Sequence, residues 1–224
     1  MTEIVSRLYA LQDLSYRDFT APLIPNVDKR RIIGVRLPLL KKLAKEIPDE
    51  ERDDFFTQLP HTYHEEDLLH AFLINRIKDF KEAVREIEHF LPYVTNWAVS
   101  DTLLPVSFEK NKTELEGYIQ KWISSDHTYT VRFGIYCRMK QFLKEDYRRE
   151  QLEEITMITH EDYYVRMMIA WYLATAMIDH YEDVLPYLLE HRLSPDVHRK
   201  TIQKAVESRR ISEEHKTELK ELRN

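Results

Sequence analysis

Apolar residues recur at intervals of three and four along almost the whole chain. Leu39, Leu40, Leu43, Ala44 and Ile47 form one stripe, and Leu115, Tyr118, Ile119, Trp122 and Ile123 a second. Val131, Ile135, Met139 and Phe142 form a third; Val165, Ile169, Leu173 and Ala176 a fourth. This spacing puts each set on one face of a helix. Pro38, Pro48, Pro60, Pro92, Pro186 and Pro195 are read mainly as helix starts or stops, because proline lacks the amide that a helix interior uses. Ser124, Ser125 and Asp126 stand ahead of the third stripe as N-cap residues. The pattern predicts five or six helical pairs with short loops.

One segment repeats within this pattern. Asp126-His127-Thr128-Tyr129-Thr130-Val131-Arg132 opens the third stripe, and His160-Glu161-Asp162-Tyr163-Tyr164-Val165-Arg166 opens the fourth 34 residues later. A fainter copy, Pro195-Asp196-Val197-His198-Arg199, leads into residues 201–206. A fixed period in the thirties marks stacked helical hairpins, each burying its apolar face against its neighbours. The expected fold is all-α, an α-solenoid or superhelix of HEAT-like helical repeats whose right-handed stacking makes a concave groove. Residues 1–224 are read as one HEAT-like repeat domain, with an irregular N-terminal helical unit at 1–33 and repeats at 34–224. Residues 1–11 can form a helix, but Pro22 and Pro25 prevent a long helix from running through 18–27.

Composition narrows the setting. Three glycines leave little turn chemistry for hairpin-rich sheets, while 43% hydrophobic and 32% charged residues suit a helical protein that is not disordered. No apolar run approaches bilayer length, and acidic Glu3 sits where a signal peptide would be basic, so a cytoplasmic protein without membrane contact is expected. Cys137, the single cysteine, follows Ile135 and Tyr136 on a helix and reads as a buried thiol. The net charge of −6 argues against nucleic acid, but its distribution does not. Lys29, Arg30, Arg31, Arg36, Lys41, Lys42 and Lys45 crowd a stretch whose only acid is Asp28. His198, Arg199, Lys200, Lys204, Arg209 and Arg210 form a second concentration. Either alone fits a solvated helix face; together they allow a phosphate-facing side. His61, His64 and His70 beside Glu65, Glu66 and Asp67 have spacing that can bind zinc, yet they read as a solvated loop and helix start.

The segment Thr95-Asn96-Trp97-Ala98-Val99-Ser100-Asp101-Thr102-Leu103-Leu104-Pro105 puts an indole and a carboxylate one helical turn apart. Alone, it reads as a core tryptophan and a helix-capping aspartate ahead of Pro105. Other segments join it: Gly34-Val35-Arg36-Leu37-Pro38 upstream, then Lys121-Trp122-Ile123-Ser124-Ser125-Asp126, Val131-Arg132 and Ala170-Trp171. In order and spacing the chain resembles the AlkD-like DNA alkylation repair glycosylases, a family of HEAT-like repeats, from about Gly34 to its end. The resemblance implies that Asp101 is the catalytic carboxylate, that Trp97 and Trp171 flank the lesion, and that Arg132 contacts the DNA backbone. Lys41 and Lys42, from the first basic stretch, are expected to be further contacts to the DNA backbone. Arg166, Arg132's counterpart in the next repeat, is assigned a structural role, and so is Trp122. The implied reaction hydrolyses the N-glycosidic bond of cationic N3- or N7-alkylpurines in double-stranded DNA, by a monomer, without metal or cofactor.

The resemblance departs at 18–27. Active members carry there an extended helix that reaches into the minor groove, and a branch of second paralogues lacks it and has lost excision. Three functions stay open: a glycosylase, a catalytically silent and weakly DNA-binding paralogue, and a HEAT-type protein–protein scaffold. Lys and Arg around Asp101 separate the first two from the third, and an excision assay separates the first from the second.

Overall fold

Helix follows helix wherever the sequence supplies a cap and an apolar stripe. The computed structural model describes residues 2–223, and no strand occurs among them. Contacts divide the chain into two units, Met1–Asn111 and Lys112–Asn224.

The first unit holds α1 (Glu3–Ala10), α2 (Leu14–Thr20), α3 (Leu37–Glu46), α4 (Asp49–Phe56), α5 (His64–Ile74), α6 (Phe80–Phe90) and α7 (Trp97–Ser100). The helix expected near the N-terminus is α1, capped by Thr2, whose hydroxyl accepts the Val5 amide. The two prolines act as anticipated: α2 stops at Thr20, and a single 3₁₀ turn, Ala21–Leu23, replaces further helix. In α3, Leu40, Leu43 and Ala44 face inward, as does Ile47 behind them. α5 is buried along its whole length, polar first turn included.

The histidine cluster on and beside α5 is therefore not the solvated loop and helix start expected from sequence. His61, His64 and His70 are all buried. Phe55 stacks on His61 at 4.4 Å, while Phe56 and Phe90 sandwich His70 at 4.3 and 4.0 Å. The two rings also share a hydrogen bond, His61 Nε2 to His70 Nδ1, at 2.8 Å. Flat, neutral imidazoles pack among phenyl rings much as another aromatic would. Among the described residues, no three His, Cys, Asp or Glu side chains are grouped to hold a metal ion.

The second unit holds α8 (Lys112–Ile123), α9 (Thr128–Phe142), α10 (Arg149–Thr156), α11 (Tyr163–Ala176), α12 (Tyr181–Leu189), α13 (Pro195–Glu207) and α14 (Glu213–Glu221). Here the repeat is visible as packing. α9, α11 and α13 lie side by side, with α8 against α9, α10 and α12 against α11, and α14 against α13. Tyr129 meets Tyr164 and Tyr136 meets Trp171, so neighbouring helices of the row run in one direction and equivalent positions adjoin. Val131, Val165 and Val197, the matched valines, are all buried. Trp122 is buried against Phe133 at 4.8 Å, the structural place assigned to it, and Cys137 is fully buried, which pushes its thiol pKa up. Buried Arg138 ties α9 to Glu154 of α10 at 2.8 Å and to Glu116 of α8 at 3.3 Å.

Two boundaries differ from the sequence reading. His127, not Asp126, caps α9, its ring accepting the Thr130 amide, with Ser125 Oγ accepting the His127 amide. Pro186 lies inside α12 rather than at its edge. The carbonyl it leaves without a helical donor belongs to exposed Glu182, where water can serve it. No helix among the described residues is long and apolar enough to cross a membrane.

Candidate functional site

The Trp97–Asp101 turn is short and held at both ends. α7 has four residues; Asn96 caps it, Oδ1 accepting the Val99 amide at 3.2 Å, and Asp101 closes it, its amide donating to the Trp97 carbonyl at 2.9 Å. The shared face expected from the Trp-x3-Asp spacing thus exists as one helical turn. Ser100 Oγ donates to Asp101 Oδ1 at 3.2 Å, and the Asp101 side chain is half-buried.

What fixes this turn is α5, which the sequence reading did not connect to it. At its start, His64 Nδ1 lies 3.5 Å from Asn96 Nδ2. At its end, the Asn75 side chain donates to the Thr102 carbonyl at 2.7 Å and accepts the Leu104 amide at 2.6 Å. The Asn75 carbonyl takes the Val106 amide at 3.1 Å. One asparagine thus holds the strand of chain that leaves Asp101. An Asn at the end of an apolar helix was the only sequence signal for it.

Trp97 is half-buried against the cluster of Ile24, Val27 and Ile32, on which Ala21 also packs, and its Nε1 donates to the Leu23 carbonyl at 2.9 Å. Asn26 Nδ2 donates to the Thr95 carbonyl at 3.4 Å. The proline-broken segment is therefore folded onto the indole. Its far side is anchored by Glu65, whose carboxylate accepts the amides of Ile33, Gly34 and Val35 at 2.8, 2.6 and 3.2 Å. Burial raises the Glu65 pKa, and the three donors oppose that rise.

In the second unit, Trp171 is half-buried rather than sealed in the core. It lines a groove of about 590 Å³ with Met139, Lys140, Thr175 and Lys204. Lys204 Nζ stands 5.8 Å from the indole centroid, and Lys140 Nζ 5.4 Å from that of Tyr136. Burial, and then the nearby Arg132 charge, lower the Lys204 pKa. Arg132 itself is only 5% exposed and donates from Nη1 to the Tyr164 carbonyl at 2.8 Å, tying α9 to α11. Its counterpart Arg166 reaches Asp196 of α13 at 3.6 Å, a contact between repeats that fits the structural role assigned to it.

The basic stretch at 29–45 is less free than its sequence suggests. Lys29 pairs with Asp18 at 3.1 Å, Arg30 with Asp28 at 2.5 Å, and Arg36 with Asp13 at 2.8 Å. Arg31 lies 3.8 Å from Asp67 and donates to the carbonyls of His61 and Thr62. Folding brings in acids from outside the stretch, where sequence shows only Asp28. Lys41, Lys42 and Lys45 are exposed on α3 and join no ion pair among the described residues.

The structure thus joins Trp97 to Asp101 in one unit and groups Arg132, Trp171 and Lys204 in the other. A search of curated proteins returns no match. The family model for DNA alkylation repair enzymes matches residues 5–208, nearly the whole chain, including every residue singled out above for the site. The chain belongs to the DNA alkylation repair enzyme family.

Proposed function

We propose that the protein binds duplex DNA and uses Asp101 to hydrolyse, slowly, the N-glycosidic bond of purines alkylated at N3 or N7. The observation that carries this reading is the clamped Asp101: a half-buried carboxylate on a one-turn helix whose flanks are bonded to His64 and Asn75. An alkylated purine already bears positive charge and leaves without protonation. Breaking its bond develops oxocarbenium-like charge on the sugar, as in glycoside hydrolysis. A carboxylate fixed beforehand stabilises that charge and orients the attacking water without reorganising. The face of Trp97, one turn from Asp101, attracts a cationic base. Lys41 and Lys42 take phosphates, and Arg132 adds positive potential behind Lys204.

The test is incubation with duplex DNA containing 7-methylguanine and measurement of free base. Slow release by the wild type, lowered about 100- to 1,000-fold in Asp101→Asn, is expected; removal of one preorganised charge-stabilising group costs that much. Asn can still accept from Ser100, so fold and DNA affinity should persist. One observation favours a second reading, the catalytically silent DNA-binding paralogue: the Leu23 carbonyl already occupies the Trp97 indole N–H. Duplex binding with no release by wild type or variant would establish that reading. Absence of duplex binding would sink both and leave the scaffold.

A further inference from the structure

The N-terminal ends of α11 and α13 enclose a second basic cleft, of about 280 Å³, that the proposed reaction does not use. Tyr163, Arg166, Met167, Arg199, Lys200 and Arg223 line it. Asp196 is the one carboxylate among the lining residues, and it holds Arg199 at 2.5 Å and Arg166 at 3.6 Å. Lys200 Nζ donates to Gln203 Oε1 at 3.1 Å, and neither Lys200 nor Arg223 joins an ion pair among the described residues. Four cations thus face a single acid. The groove at Trp171 is different, since its lysines share the walls with Asp179 and Glu207.

Tyr163 makes the cleft more than a charged patch. Its ring is 51% exposed, although it opens an otherwise well-packed helix. An edge contact with Tyr164, at 5.4 Å and 79°, orients it, and Tyr164 is braced in turn by Tyr129 at 5.8 Å. A fixed aromatic face among cations in excess of the one carboxylate suits a group that is anionic at one end and flat at the other. Bases within a duplex are stacked on each other and offer no face to a ring, whereas an unpaired nucleotide offers both face and phosphate. A cleft of this size admits one nucleotide and excludes a double helix.

We propose that this cleft binds an unpaired nucleotide of a DNA strand that continues beyond the duplex, with Tyr163 stacked on the base and Lys200 and Arg223 on its phosphate. The proposal rests on the DNA binding inferred above and extends it to single-stranded flanks. Fluorescence anisotropy at fixed salt would compare a blunt duplex, the same duplex with a short single-stranded overhang, and free dAMP as competitor. The overhang should raise affinity roughly 5- to 150-fold, the range for stacking one base on an aromatic side chain. Tyr163→Ala should remove that gain and leave blunt-duplex affinity unchanged, and Tyr163→Phe should keep it. Lys200→Ala should weaken the overhang complex alone. Blunt and overhang duplexes bound equally well would overturn the proposal while duplex binding stands. Overhang binding without blunt-duplex binding would support the cleft and overturn the duplex reading. Equal losses on both DNAs in Tyr163→Ala, or displacement by dAMP at concentrations matching the oligonucleotide, would also overturn it, the latter by making the cleft a mononucleotide site.

Discussion

Three amides converging on Glu65 hold the segment that carries Gly34, and the geometry there leaves no freedom of residue type. Gly34 has φ +94°, and a Cβ on it would stand 2.4 Å from the Asp13 carbonyl oxygen. Two residues along α5, Asp67 is also buried, and its surroundings set a pH response. Burial raises its pKa to about 8, with Glu66 and Glu65 pushing the same way and Arg31 pushing back. Its folded pKa lies above the unfolded value near 3.9, so its contribution is complete below that value and disappears as pH rises through about 8. His61 and His64, lowered to about 4 by burial, act oppositely: their contribution is complete above about 6.5 and lost as pH falls towards 4. Between pH 6.5 and 8 the histidines are neutral in both states, and the slope from Asp67 is exposed. Wild-type stability from urea unfolding should fall across that window relative to Asp67→Asn, by at most about 2 kcal/mol at 1.36 kcal/mol per pH unit. Parallel profiles for the two proteins would show that Asp67 is ionised in the folded state.

At the scale of elements, the second unit repeats a contact as well as a helix. Tyr147 stacks on His180 at 3.6 Å and donates to Asp183 at 3.0 Å. Tyr181, 34 residues on, stacks on His215 at 3.6 Å and donates to Glu218 at 2.7 Å. Each set staples one repeat to the next. Tyr181→Phe keeps the ring stack and deletes one hydrogen bond to a carboxylate, so it should cost about 1.5 to 3 kcal/mol in chemical denaturation. An unchanged unfolding midpoint would mean that the staple is ring packing alone. The helices themselves were legible because periodicity and proline placement are local: the stripes at 39–47, 115–123, 131–142 and 165–176 all lie on helices. The turn that carries Trp97 and Asp101 was legible by spacing, while the role of the two residues came only from the resemblance. Contacts that cross the chain were not. Asn75 meets Thr102 and Leu104 across nearly thirty residues, and Asp13, Asp18 and Asp67 reach basic residues from other elements. The polar first turn of α5 misled for the same reason, since Phe55, Phe56 and Phe90, which bury its histidines, come from α4 and α6.

For the whole molecule, the charge balance governs how any DNA complex behaves. The chain carries a net charge of −6, so its field does not attract DNA from a distance, and binding must come from local cations. Much of the conspicuous basic stretch is consumed internally, by the ion pairs of Lys29, Arg30 and Arg36 and by the bonds of Arg31 to backbone carbonyls, and a cation held by a carboxylate releases few counterions from DNA. Lys41, Lys42 and Lys45, exposed on α3 and in no ion pair among the described residues, are the cations of that stretch left for phosphates, and Lys41 and Lys42 are the two assigned to the backbone. Affinity for a blunt duplex should therefore fall as salt rises, with little dependence on sequence, because nothing in these residues reads base edges. The logarithm of the binding constant should be linear in the logarithm of salt concentration, with a slope of about 0.9 per phosphate neutralised. Replacing Lys41 and Lys42 together by alanine should lower the magnitude of that slope by roughly 1.8. The Lys29→Ala and Arg36→Ala changes should move it little, because each breaks an internal pair and removes no phosphate contact. A slope unaffected by the α3 double variant, or reduced as much by Lys29→Ala and Arg36→Ala, would place the DNA on other cations than those of α3.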